Sequence, residues 1–262
     1  MPFVQTETNQ IYWEEHGIGE PLLLIMGLGG TIKAWHRLLP ALSIKYRVIV
    51  YDNRGIGASS DANGPFSIAD MASDAKAVLE AAGSGSAHVL GVSMGGMIAQ
   101  EFALNYPDAV RSLILAVTTC GGREAILADG KVLAALQSQS SMSAEDAFWA
   151  IAPAIYDDAT PRSVLEEDLA AKQSERQTRQ NYLAQLQAIM AWPGTFSRLD
   201  QIKAPTFVLH GANDKLVPPQ NGRDLARAIP NARLVEIDNA SHMFAADQPE
   251  RSITEILSFL RT

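Results

Sequence analysis

The sequence predicts an α/β protein with one mostly parallel sheet covered by helices, and three observations point to this class. Short apolar runs of strand length alternate with helical patterns along most of the 262 residues. Several of these runs are apolar throughout, as expected for strands that are covered on both faces. The alternation lapses between residues 121 and 195, where helical patterns follow one another. We therefore expect a core formed by residues 1–120 and 196–262 and a helical cap formed by residues 121–195.

The first predicted element is an antiparallel hairpin, with strands at Phe3–Thr6 and Ile11–His16 joined around residues 7–10. The next predicted strands lie at Leu22–Met26, Val48–Tyr51, Ala87–Val92, Leu113–Val117, Thr206–His210 and Arg233–Ile237. Because helices separate most of these runs, their strands should be parallel.

Helix boundaries carry recognisable signals. The helix predicted over Ile68–Ala82 begins with Ser67 and Asp70 in a capping-box pattern and ends at Gly83. Prolines lie at the boundaries of the other core helices, predicted at Met94–Tyr106, Asn221–Ile229 and Pro249–Leu260. Within the cap, helices are predicted at Ala125–Gln137, Ser143–Ile151, Pro161–Lys172 and Arg176–Ala191.

Composition restricts the function. The net charge of −8 and the pI near 5.1 argue against a nucleic-acid partner, which Lys and Arg must neutralise. Cys120 is the only cysteine, so we expect neither an intrachain disulfide nor a zinc cluster of thiolates. The chain has no apolar run of 18 residues and no signal-peptide pattern at its start, which predicts a cytoplasmic protein without a membrane partner.

A glycine loop, Gly27-Leu28-Gly29-Gly30, follows the predicted strand at Leu22–Met26. A strand, a glycine turn and a helix can hold a phosphate, but the same backbone can also direct N–H groups at an oxyanion. The phosphate interpretation is the weaker one, because Ile32 stands where G-x-G-x-x-G needs its last glycine. No Gly-Lys-Ser/Thr sequence occurs anywhere in the chain.

Ser93 lies in the pattern Gly91-x-Ser93-x-Gly95, between an apolar strand and a helix. This context is typical of a nucleophile elbow, where glycines two residues either side leave room for a sharp turn. The dipole of the following helix favours negative charge at its N-terminus. Ser93 is therefore the candidate nucleophile.

A serine hydroxyl needs a base, and the base needs an orienting acid. Of the five histidines, His242 follows the last predicted strand and should reach the same sheet edge as Ser93. Asp214 follows the preceding strand, and the order Ser93, Asp214, His242 is the one expected for this arrangement. Asp238 is the alternative acid, four residues before His242.

With these motifs, the chain resembles the α/β-hydrolase superfamily over essentially its whole length, which implies an eight-stranded, mostly parallel sheet with a cap. The turn at residues 52–59 also matches. Within the superfamily, Met1-Pro2-x-Val4-Gln5, Ser93-Met94-Gly95-Gly96 and the short cap most resemble 3-oxoadipate enol-lactone hydrolases and small carboxylesterases. The resemblance implies that the backbone N–H groups of Leu28 and Met94 form an oxyanion hole. One departure is Met26, because many relatives have histidine there.

These residues predict hydrolysis of a small ester or lactone through an acyl-enzyme, without a metal or organic cofactor. One alternative is carbon–carbon bond hydrolysis or perhydrolysis by the same triad, and another is a hydrolase-like protein that only binds a ligand. The cap carries six basic and ten acidic residues, which leaves no broad basic surface for a dicarboxylate lactone. Its aromatic residues either form only its core or also line an apolar substrate pocket. The candidate substrate-binding residues are Trp35, Arg123, Trp149, Tyr156, Trp192 and Met243.

Overall fold

An eight-stranded sheet forms the centre of the protein in a computed structural model that describes residues 3–62, 64–138, 142–173 and 178–261. The bounds of the strands are β1 Phe3–Gln5, β2 Gln10–His16, β3 Glu20–Ile25, β4 Tyr46–Tyr51, β5 Ala87–Val92, β6 Val110–Ala116, β7 Thr206–Gly211 and β8 Arg233–Ile237. Their order across the sheet is β1-β2-β4-β3-β5-β6-β7-β8.

The strand directions confirm the predicted sheet. β1 pairs with β2 and β2 with β4 in antiparallel register, and every remaining pair is parallel. β5 and β8 have the predicted bounds, whereas the ends of the other strands differ by one to three residues. The carboxyl ends of β3, β5, β7 and β8 meet at one edge of the sheet, and this edge receives the glycine loop, Ser93, Asp214 and His242.

Helices cover both faces of the sheet. Alternate side chains of β3 enter different cores: Leu23 and Ile25 belong to one cluster, and Leu22 and Leu24 belong to the other. The helix bounds are α1 Leu39–Leu42, α2 Ile68–Ala81, α3 Met94–Asn105, α4 Gly130–Ser138, α5 Ala144–Ile155, α6 Arg162–Gln173, α7 Arg179–Ala191, α8 Gln220–Ala228, α9 Phe244–Asp247 and α10 Pro249–Leu260. The first cluster includes residues of α2, α3 and α8, and the second includes residues of α1, α9 and α10.

Helices α4 to α7 lie in the chain between β6 and β7, as the lapse in alternation predicted. We refer to residues 121–195 as the helical insertion. The start predicted for its first helix at Ala125 is wrong, because α4 begins at Gly130. The side chain of Asp129 accepts hydrogen bonds from the N–H groups of Lys131 and Val132, at 2.8 and 3.0 Å, and so caps the helix there.

The other helices of the insertion also differ from the prediction at their ends. α5 continues four residues beyond the predicted end at Ile151, through Pro153. α7 begins at Arg179, where the Thr178 side chain caps it, and the predicted start at Arg176 lies outside the described residues. Across the described ranges, no helix combines the length and the hydrophobicity that crossing a membrane requires.

Candidate active site

Ser93 occupies a sharp turn between β5 and α3, with φ at +57° and ψ at −122°. A Cβ atom on Gly91 would lie 2.3 Å from the carbonyl oxygen of Gly95. A Cβ atom on Gly95 would lie 2.0 Å from the carbonyl oxygen of Ile25. Both approaches are too close for any side chain, so the turn needs glycine at these positions. Positive φ is strained for a serine, and backbone strain of this kind is concentrated at functional sites.

His242 and Asp214 form a hydrogen-bonded pair, with 2.8 Å between Nδ1 of His242 and Oδ2 of Asp214. Both side chains are buried, whereas the alternative acid, Asp238, is exposed. The loop after β7 holds the carboxylate in place, because Oδ1 of Asp214 accepts the N–H groups of Leu216 and Val217 at 2.9 and 2.8 Å.

The environment of Asp214 keeps its carboxylate ionised. Burial by itself would raise its pKa, but the charge of His242 and hydrogen bonds from His210 and His242 outweigh burial and lower the pKa to about 2. His210 is fully buried, with Nε2 lying 2.8 Å from the carbonyl oxygen of Val217 and 3.5 Å from Oδ2 of Asp214. Its position at the end of the strand predicted before Asp214 could have indicated this contact.

Ser93 is partly exposed and belongs to the same sheet edge as the Asp214–His242 pair. Among the described residues, its hydroxyl makes no hydrogen bond to His242, whose bonded ring nitrogen is Nδ1. Catalytic hydrogen bonds of this kind are often long until substrate binds. Thr118 supports the turn by donating its hydroxyl to the carbonyl oxygen of Ser93 at 2.7 Å, a contact that the sequence did not predict.

The glycine loop lies against Ser93. A Cβ atom on Gly27 would be 3.0 Å from the Ser93 Cβ and 3.6 Å from its Oγ. The N–H of Gly30 donates to the carbonyl oxygen of Gly27 at 3.2 Å, and Gly29 has φ at +69°. This geometry is typical of a type II turn, which favours glycine at its third residue.

The N–H groups of Leu28 and Met94 have no acceptor within the described part of the chain. Leu28 lies at the tip of the glycine turn, and Met94 is the first residue of α3, where an N–H has no partner inside its own helix. N–H groups without an acceptor among the described residues therefore occur in the glycine loop, which lies against Ser93, and at the residue that follows Ser93.

Met26 packs against the glycine loop. A Cβ atom on Gly30 would lie 2.6 Å from Cγ and 3.3 Å from Sδ of Met26. Gly30 therefore leaves room for the flexible side chain of Met26. Asn53 holds the same residue from the other side by donating its side-chain amide to the Met26 carbonyl oxygen at 2.9 Å.

Three of the candidate substrate-binding residues are buried. Trp35 is 1% exposed and lies among the apolar residues of the second core cluster. Tyr156 donates its hydroxyl to Asp168 at 2.9 Å, and Trp192 donates its indole N–H to Glu101 at 2.9 Å. The polar ends of both rings are therefore occupied, and their assignment to substrate binding stays a prediction.

The other three candidates are more accessible. Arg123 is exposed at the start of the helical insertion. Trp149 is partly buried, and the guanidinium of Arg162 lies over its ring at 4.7 Å from the centroid. Met243 follows His242 directly, and its N–H donates to the carbonyl oxygen of Ile155 at 2.7 Å, which ties the histidine loop to the insertion.

Two further features concern the single cysteine and possible metal ligands. Cys120 is buried, and burial raises the pKa of its thiol to about 11, so it stays protonated at neutral pH. No group of three His, Cys, Asp or Glu side chains suited to a metal ion occurs in the ranges that the structure describes.

Comparison with known proteins gives a consistent family. Residues 20–249 match the model of the alpha/beta hydrolase fold family. The chain is 34% identical to an Azorhizobium caulinodans protein provisionally named carbamate hydrolase RutD, covering 99% of this chain and 98% of the relative. It is 31% identical to the 2-hydroxy-6-oxononadienedioate/2-hydroxy-6-oxononatrienedioate hydrolase of Burkholderia vietnamiensis, covering 96% and 91%. A thermophilic esterase of Thermogutta terrifontis, solved with malate bound, superposes with a TM-score of 0.85 at 26% identity, covering 100% and 98%.

Proposed function

Because the chain belongs to the alpha/beta hydrolase family, we propose that it is a serine hydrolase that cleaves carboxylic esters or lactones. Ser93 is the nucleophile, His242 is the base and then the acid, and Asp214 orients the histidine. The observation that carries this proposal is the strained turn at Ser93, which lies against the glycine loop and precedes the N–H of Met94, unpaired among the described residues. The hydrogen-bonded Asp214–His242 pair at the same sheet edge supports it.

The reaction proceeds in two steps. The Oγ atom of Ser93 attacks the carbonyl carbon of the ester while Nε2 of His242 takes the hydroxyl proton. The carbon–oxygen bond to the alcohol then breaks, and His242 returns the proton to the leaving oxygen. In the second step, His242 takes a proton from water while the water oxygen attacks the acyl carbon. The bond between that carbon and Oγ of Ser93 then breaks, the acid leaves, and His242 returns the proton to Oγ. Asp214 stays ionised throughout, because its pKa is about 2, and it stabilises the imidazolium that forms in both steps.

The N–H groups of Leu28 and Met94 are the proposed oxyanion hole. They stabilise the negative charge that develops on the carbonyl oxygen in each tetrahedral intermediate. Loss of one donor of this type lowers kcat by about 10²–10³-fold. Because both donors belong to the backbone, replacement of the common histidine by Met26 leaves this chemistry intact.

The helical insertion is proposed to act as the cap of the site, since Met243 joins it to the histidine loop. Its excess of acidic residues and its aromatic residues favour a substrate with a neutral, apolar acyl or aryl group over a dicarboxylate substrate. The name of the Thermogutta esterase supports an ester as the substrate class.

The test is hydrolysis of a 4-nitrophenyl ester together with labelling by a fluorophosphonate probe. We expect S93A to lose both activities and to keep the wild-type melting temperature, because only the hydroxyl is removed. The exposed Ser73 provides a control, and S73A should hydrolyse and label like the wild type. Full esterase activity in S93A would overturn the assignment of the nucleophile.

A second candidate is hydrolysis of a carbon–carbon bond by the same triad. The name of the Burkholderia relative favours it, because that protein is named as a hydrolase of an oxononadienedioate. Parallel assays with a nitrophenyl ester, a lactone and a ring-cleavage dienone separate the two candidates. Turnover confined to the dienone would replace the ester proposal.

A further inference from the structure

Gln185 of α7 is a fully buried polar side chain whose two ends both bind backbone groups of the core. Its Oε1 accepts the N–H of Gly29 at 2.9 Å, and its Nε2 donates to the carbonyl oxygen of Arg54 at 3.2 Å. One glutamine from the helical insertion thus bridges the glycine loop and the turn at residues 52–59.

The bond to Gly29 determines which N–H groups of the glycine loop are available to a ligand. Leu28 and Gly29 are the two central residues of the turn closed by the Gly30–Gly27 hydrogen bond. Gln185 accepts the N–H of the peptide between these two residues and thereby fixes the plane of that peptide. The N–H of Gly29 is consequently occupied, whereas the N–H of Leu28 has no acceptor among the described residues.

We infer that Gln185 is a positioning residue for the oxyanion hole. Because Gln185 belongs to the helical insertion, the hole is assembled when the insertion docks on the core. This inference rests on the proposed function. Gly29 is buried, so loss of Gln185 would leave its N–H without an acceptor, and the turn would relax to find another. A shift of about 1 Å in a catalytic group costs up to about 10²-fold in rate.

The experiment compares Q185M with Q187M, a variant of the exposed glutamine two residues further along α7. Methionine keeps the length of glutamine but provides neither the strong acceptor nor the N–H donor. For a 4-nitrophenyl ester, we expect Q185M to lose about 10- to 100-fold in kcat with KM within about twofold of wild type. Q187M should match the wild type.

A transition-state analogue distinguishes positioning from general destabilisation. A trifluoromethyl ketone forms a tetrahedral adduct on the serine, and its oxyanion occupies the hole. Its affinity for Q185M should fall by the same factor as kcat, because both report stabilisation of that oxyanion. If Q185M does not fold, Q185N decides, since it keeps both polar groups but is one methylene too short to span Gly29 and Arg54.

The possible failures are distinguishable. A wild-type protein that cleaves no ester and does not label at Ser93 overturns the proposed function. An active wild type with equally active Q185M, or with equally active Q185N where Q185M does not fold, overturns only the role of Gln185. A loss of melting temperature with unchanged kcat and unchanged analogue affinity would also overturn it, because that result indicates a purely structural residue.

Discussion

At the scale of single residues, the Asp214 carboxylate determines which ring nitrogen of His242 carries a proton. Oδ1 is used by two backbone N–H groups, so Oδ2 alone faces Nδ1 of the histidine. In D214N, the oxygen of the new amide should keep the contacts with the N–H groups of Leu216 and Val217. The NH₂ group of that amide should then face His242. Nδ1 must then accept, Nε2 carries the proton, and the base can no longer take the proton of Ser93.

We therefore expect D214N to fold and to lose about 10⁴-fold in kcat, the size of loss seen when a triad histidine is held in the wrong tautomer. Kinetics on a 4-nitrophenyl ester measure it, and D238N, which changes the exposed aspartate near the histidine, should keep the wild-type kcat. If D238N showed the loss and D214N did not, the orienting acid would be Asp238.

The same carboxylate affects stability in acid. The folded-state pKa of Asp214 is about 2, below the value of about 3.9 expected in the unfolded chain. Its ionised form therefore stabilises the fold above pH 4, and this contribution disappears as the pH falls from 4 to 2. In urea unfolding, the difference between wild type and D214N should therefore shrink as the pH falls below 4.

Sequence patterns predicted the residues of the proposed triad because each follows a strand end, where a parallel sheet gathers loops at one edge. They could not identify Gln185 or Thr118, since neither belongs to a motif. Both act on backbone groups that are remote in sequence: Gln185 bonds Gly29, 156 residues away, and Thr118 bonds Ser93, 25 residues away. Contacts of this kind depend on tertiary packing, which residue types and spacing do not encode locally.

At the scale of elements, Asp168 joins α6 to the core. Its Oδ1 accepts Nε and Nη2 of Arg37, at 2.9 and 2.7 Å, and lies 3.2 Å from Nε2 of His36. Its Oδ2 accepts the hydroxyl of Tyr156. Asp168 is 7% exposed, so these contacts are largely shielded from water.

We expect D168N to loosen the helical insertion while the sheet stays intact. Breaking a buried ion pair costs about 3–5 kcal/mol, and partial exposure of Arg37 reduces this to roughly 1–3 kcal/mol. Hydrogen exchange should rise within residues 142–173 and stay unchanged in β3 to β6. E167Q is the matched control, because Glu167 contacts the same arginine but is 66% exposed, and it should change stability little. If hydrogen exchange in D168N rose equally in residues 142–173 and in β3 to β6, the insertion would not open separately from the core.

Element boundaries show where local sequence rules are sufficient. The capping box at Ser67 and Asp70 is present in the structure, and α2 begins where the sequence predicted. The start of α4 was predicted five residues too early, because Ala125–Ala128 has helical composition but Asp129 supplies the cap. A capping side chain inside an apolar run therefore outweighs helix propensity, which is worth only tenths of a kcal/mol per residue.

At the scale of the whole molecule, the net charge of the protein is −8, and the helical insertion proposed to cap the site is itself acidic. A field of one sign repels substrates of the same sign, and salt screens this repulsion. The Debye length falls from about 30 Å at 0.01 M salt to about 8 Å at 0.15 M. The charge of the protein should therefore influence the approach of anionic esters at low salt and have little effect on neutral ones.

Two esters with the same leaving group isolate this effect: neutral 4-nitrophenyl acetate and the anionic mono-4-nitrophenyl ester of succinic acid. Between 10 and 150 mM NaCl, we expect kcat/KM to rise a few-fold for the anionic ester and to stay nearly constant for the neutral one. A fall for the anionic ester would mean that a local cation dominates over the net charge. Arg123, exposed at the start of the insertion, is the candidate, and R123A would then abolish the salt dependence.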